Sequence, residues 1–126
     1  MANDCFPLFD AGAKPTCHCE AAVTGKRFVE VSGPMVNGLI QISHATAAGT
    51  VFGVAFRDTA IAGTCGVYTD GIVPVTAGGA FSAGQLLEVG ADGKAVVLAA
   101  GIPVAKAMSD GVNNADAFVQ LLRTPA

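Results

Sequence analysis

The chain has 126 residues, enough for one domain, and is 52% hydrophobic but only 6% aromatic and 13% charged, with 16 glycines and no tryptophan. Seven basic against ten acidic residues give a formal charge of −3, and Lys26-Arg27 is the only adjacent basic pair, which excludes the clustered footprint needed to grip DNA or RNA phosphates. No stretch approaches the roughly 18 apolar residues of a membrane helix, and Asp4 and Asp10 stand where a secretory signal would be basic and apolar, so a soluble protein made in the cytoplasm is expected, with Cys5, Cys17, Cys19 and Cys65 reduced.

In chain order, residues 1–20 come first, with Pro7, Pro15 and Gly12 around the apolar cluster Phe6, Leu8 and Phe9. Prolines bar this stretch from the centre of a sheet, so an extended arm is expected. Its apolar side chains need a surface, either this domain's own core or a neighbour. Phe6, Leu8 and Phe9 are therefore the candidate interface residues.

Residues 21–126 read as one β-domain. Short β-favouring runs occupy 27–31, 39–43, 50–57, 65–69, 72–76, 85–89, 94–98, 102–108 and 117–122. Asn37-Gly38, Asp70-Gly71 and Asp92-Gly93 lie between such runs as tight hairpin turns require, because these residues accept positive φ cheaply. Residues 109–116 form a longer polar loop around Asp110-Gly111. Phe52, Val54 and Phe56 alternate with smaller residues, and only 77–84 could form a helical turn. Ala48-Gly49, Ala62-Gly63, Ala83-Gly84 and Ala100-Gly101 each precede a strand, with glycine read as permitting the turn and alanine as packing beside it. The fold class expected is all-β, a small barrel or sandwich.

Chemistry finds little purchase. On a strand, Cys17-His18-Cys19 puts both cysteines on one face and His18 on the other. Cys5 and Cys65 could complete four thiolates, but a single Cys-x-Cys is not the spacing of a zinc knuckle, normally two Cys-x2-4-Cys pairs. No metal ligand or cofactor site is assigned. Nucleophilic catalysis needs a nucleophile, base and orienting group, whereas His44, beside Ser43 at a strand end, reads as a water-exposed loop histidine. Glu30, Asp58, Asp70 and Asp92 sit at strand edges or turns, where turn chemistry explains them. The phosphate loop Gly-x4-Gly-Lys-Ser/Thr is absent. No catalytic residue is assigned, and a weakly charged surface favours a component that lives docked in an assembly.

The ordered pieces Gly71-Ile72-Val73-Pro74-Val75, Gly78 to Val89, Asp92-Gly93-Lys94-Ala95-Val96, Gly101-Ile102-Pro103-Val104-Ala105-Lys106-Ala107 and Phe118-Val119-Gln120-Leu121-Leu122 together resemble the phage capsid decoration, or head cement, family. Asn3-Asp4-Cys5-Phe6-Pro7 and Ala21 to Val29 resemble its actinobacterial-phage branch. The resemblance implies a small, β-tulip-like barrel, often trimeric, that binds the outside of a phage head. There it would brace contacts between major capsid proteins, without catalytic residues, cofactor, membrane or nucleic acid. The competing expectations are a tail, fibre or head–tail joining protein, and a small metal-binding or hydrolytic domain using Cys17, His18 and Cys19.

Overall fold

The computed structural model describes residues 14–122. The strands are β1 (Thr16–Cys19), β2 (Phe28–Val36), β3 (Leu39–His44), β4 (Gly53–Ala55), β5 (Thr64–Tyr68), β6 (Ile72–Thr76), β7 (Leu86–Val89), β8 (Ala95–Val97), β9 (Ala105–Ala107) and β10 (Asp116–Leu121). The first five close into a barrel in the order β1-β3-β2-β4-β5, and the rest form a second sheet in the order β6-β10-β9-β7-β8. The all-β expectation holds, and each expected run overlaps one strand.

β1 lies inside the stretch 1–20 expected as an arm. Its inward Cys17 and Cys19 are fully buried, and it runs parallel to β3 and antiparallel to β5, closing the barrel. Pro15 stands just before it, where no ladder N–H is required, and its carbonyl accepts the Val67 N–H at 3.0 Å.

The turns divide. Asn37 (φ 51°) and Gly38 (φ 78°) both take the left-handed conformation of a two-residue hairpin joining β2 to β3. Asp92 and Gly93 also have positive φ, within the loop that joins β7 to β8. Asp70-Gly71 makes no hairpin. Both sides of β5 are already paired, to β1 and β4, so the chain crosses here from the barrel to the second sheet. Residues 77–84 are not helical: Ala77 bridges Ala95 and Phe81 bridges Gly111. In two of the Ala-Gly pairs it is alanine, Ala48 (φ 61°) and Ala62 (φ 65°), that takes the left-handed conformation expected of glycine. The 52/54/56 alternation also breaks, since only Gly53–Ala55 are strand. There a Cβ on Gly53 would run into the Tyr68 carbonyl.

Two cores result. Cys17, Cys19, Val23, Val29, Ile42, Ala55, Cys65 and Val67 fill the barrel. Phe28, Val54 and Ala45 face outward from the barrel and join the inner face of the second sheet, including Val75, Leu87, Val104 and Val119. Adjacent residues thus serve different cores, Phe28 with Val54 on one side and Val29 with Ala55 on the other, by the period of two. Ala77, Ala95, Ala105, Ala107 and Ala117 lie on that inner face, where small side chains let sheet and barrel approach closely. This is where much of the alanine is used.

Candidate docking surface

Among the described residues, none covers the outer face of the second sheet. Phe118 lies opposite Pro74 in the β10/β6 register, one step from Ile72 opposite Gln120. Gln120 lies opposite Lys106 on β9, and Lys106 opposite Leu86 on β7. Directly paired residues share a face, and Met108 joins this row through its N–H to the Phe118 carbonyl at 2.9 Å. Ile72 (60%), Phe118 (55%), Leu86 (43%) and Met108 (37%) are large apolar side chains left substantially exposed. Thr76 and Asp116 continue the face and end it in polar contacts. The Asp116 carboxylate accepts from Lys26 Nζ at 2.6 Å and from Thr76 Oγ1 at 3.1 Å, and the Lys26 ammonium holds its carboxyl below the usual range.

Where β6 meets the barrel, a cleft of about 400 Å³ opens, lined by Lys26, Phe56, Tyr68, Ile72 and Pro74 among others. Phe56 and Tyr68 meet edge to face with centroids 5.8 Å apart. Lys14 Nζ sits 4.0 Å from the Phe56 centroid and 5.3 Å from that of Tyr68, a cation–aromatic contact. Gly66 makes this possible, because the Lys14 stem lies where its side chain would be. Ile72 and Pro74 thus join the cleft to the exposed sheet face.

The residues weighed for chemistry are placed otherwise. Cys17, Cys19 and Cys65 are buried free thiols inside the barrel, with Cys17 and Cys65 directly opposed across β1 and β5. Burial, reinforced by the two neighbouring thiols, pushes the Cys17 thiol up to about 11. His18 points to the other face, as the period of two requires. Among the described residues no group of three or more His, Cys, Asp or Glu side chains could hold a metal ion. His44 is not an exposed loop residue. It ends β3, half-buried, and its Nε2 accepts the Thr24 N–H at 2.9 Å. Burial, then Arg27, lower its pKa. Asp58 accepts the Gly25 N–H at 2.8 Å, and Glu30 accepts the Thr46 N–H at 3.0 Å, both serving the backbone. Glu88, unremarked in the sequence, is buried and accepts the Ala99 N–H. Phe6, Leu8 and Phe9, the candidate interface residues, lie outside the described residues.

Sequence reasoning passed over the sheet face, although a signal was present. Ile72-Val73-Pro74-Val75 and Ala117-Phe118-Val119 are apolar at both phases of the strand period, whereas a strand with one wetted face alternates apolar with polar.

A family model described as phage cement protein matches residues 11–122. No curated protein matches by sequence. Among solved structures, the crystal structure of head fiber gp8.5 N base in bacteriophage phi29 superposes with a TM-score of 0.74 at 21% identity, covering 90% of this chain and 97% of that one. That likeness shows a shared fold.

Proposed function

The chain belongs to the phage cement protein family, and from this premise we propose that it braces the outside of a phage head by laying the outer face of its second sheet on major capsid proteins. It is a structural capsid decoration protein of the virion. The observation that carries the docking mode is the contiguous face bearing Ile72, Phe118, Leu86 and Met108, all more than a third exposed. Soluble monomers rarely leave such apolar patches uncovered without a partner for them.

Magnitudes decide how such a face must be used. Fully burying a large apolar side chain is worth roughly 1.5–3 kcal/mol. These four are about half-buried already, so docking gains on the order of 4 kcal/mol, less than the cost of immobilising a free subunit. One copy binds weakly. A homotrimer, presenting the face three times, binds firmly because the second and third contacts form at high effective concentration. The subunit therefore acts by adhesion repeated through symmetry, as a non-enzymatic component.

Reconstitution tests this reading. Purified protein mixed with heads lacking it should co-sediment and raise their resistance to heat or chelation. Analytical ultracentrifugation of the free protein should show a trimer. Failure to co-sediment with any maturation state of the head would overturn the proposal.

A further inference from the structure

We infer that the capsid surface met by this sheet presents a carboxylate to Lys106, so that one ion pair enclosed by apolar contacts fixes the register of docking. The inference rests on the docking of the sheet face and names the chemistry of its partner.

The placement of Lys106 is the first argument. β9 is the central strand of the second sheet, between β10 and β7. Ala105 and Ala107 are buried on the inner face, so strand alternation turns Lys106 outward, where it is exposed. It stands opposite Gln120 on β10 and Leu86 on β7. Met108 follows two residues along the chain, Phe118 lies two residues from Gln120, and Ile72 lies across from Gln120 on β6. An ammonium is thus set among the four large apolar side chains. Two strands lie on either side of β9, about 10 Å at the usual spacing, which is farther than a lysine's four-carbon stem reaches sideways. Nor does the charge guard an edge, because β9 is paired on both sides.

The carboxylates around the face are already engaged. Asp116 is held by Lys26, the one salt bridge among the described residues. Glu88, two residues along β7 from Leu86, is buried and accepts the Ala99 N–H. Asp110, two residues beyond Met108, accepts the Ala83 N–H at 2.9 Å. A wholly apolar capsid patch laid over Lys106 would strip the ammonium of water and return nothing, a penalty that offsets the gain from the surrounding side chains. A carboxylate at that point removes the penalty, and the neighbouring Gln120 amide can donate to its second oxygen. Such a pair adds little net affinity over an apolar one, but it penalises every misplaced register.

Co-sedimentation of the full-length protein with heads lacking it, over a range of protein concentrations, tests this with Lys106→Met, Lys106→Glu and Phe118→Asp. Lys106→Met keeps the stem and removes the charge, leaving the capsid carboxylate buried alone. Its association constant should fall by roughly tenfold or more, and that of Lys106→Glu further still through repulsion. Circular dichroism should show every variant folded as wild type. Lys106→Met binding as tightly as wild type, or tighter, while Phe118→Asp fails to bind would overturn the inference: the face would dock and Lys106 would serve solubility alone. Binding untouched by Phe118→Asp would sink the docking face itself, and the inference with it.

Discussion

Phe118 stands directly across from Pro74 on the outer face of the second sheet, a bulky ring beside a residue that cannot extend the ladder beyond the edge. The pair lies on the exposed apolar face, at its β6 side, and Phe118 is 55% exposed. Phe118→Asp should leave stability within about 0.5 kcal/mol of wild type, as surface substitutions do. Capsid occupancy in a co-sedimentation assay should fall at least tenfold, because the charge would be desolvated three times over in a trimer.

Phe28 is where the two halves of the molecule join. It is fully buried, extends from the barrel strand β2 and packs among the inner residues of the second sheet. Phe28→Ala should cost about 3–5 kcal/mol, the usual result of removing a buried aromatic ring. Urea denaturation would measure this as a lowered midpoint.

The barrel thiols should be inert while the protein is folded. With the Cys17 thiol at about 11, only about one in a thousand molecules carries the thiolate at pH 8, and Cys17, Cys19 and Cys65 are all buried. In a Cys5→Ser variant, labelling by a thiol-specific disulfide reagent should proceed at the rate of unfolding, with no fast phase. Rapid labelling of any of the three would contradict the buried-thiol picture.

His44 makes stability pH-dependent with a definite sign. Its folded pKa is lowered, by burial first and by Arg27 second, and its Nε2 must stay unprotonated to accept the Thr24 N–H. The unfolded chain therefore takes up the proton at higher pH than the folded one. The contribution is fully present above the unfolded value of about 6.5 and is lost as pH falls toward the folded value. Asp116, held down by Lys26, adds a smaller loss of the same sign below about pH 4. Denaturation midpoints between pH 7.5 and 5 should fall in the wild type, and the slope should flatten in His44→Gln.

Ala62 shows where the sequence could and could not be read. The Ala-Gly steps are visible as turns, yet the choice of which residue turns left-handed is made by neighbours. Around Ala62, whose N–H bonds to the Cys19 carbonyl, the backbone holds alanine at φ 65°. Strands and the Asn37-Gly38 hairpin follow from local alternation and turn chemistry. Asp70-Gly71 carries the same local signal but joins different sheets, because the pairing of β5 with β1 is set by residues some fifty positions apart. Likewise β1 escapes notice because four residues after a proline acquire strand character only from their partners. The docking face was implicit in apolar runs such as Ile72 to Val75, but its exposure is a property of sheet order. Ala62→Gly, which removes left-handed strain of about 1–2 kcal/mol against a similar or smaller entropic cost, should leave stability unchanged or raise it by up to about 1 kcal/mol in urea denaturation.

Cryo-electron microscopy of heads reconstituted with the purified protein tests the docking of this sheet most directly. Density for the subunit should lie on the outer surface of the shell, with Ile72, Phe118, Leu86 and Met108 turned toward major capsid proteins. Bare shells, or subunits bound with that face toward solvent, would contradict it.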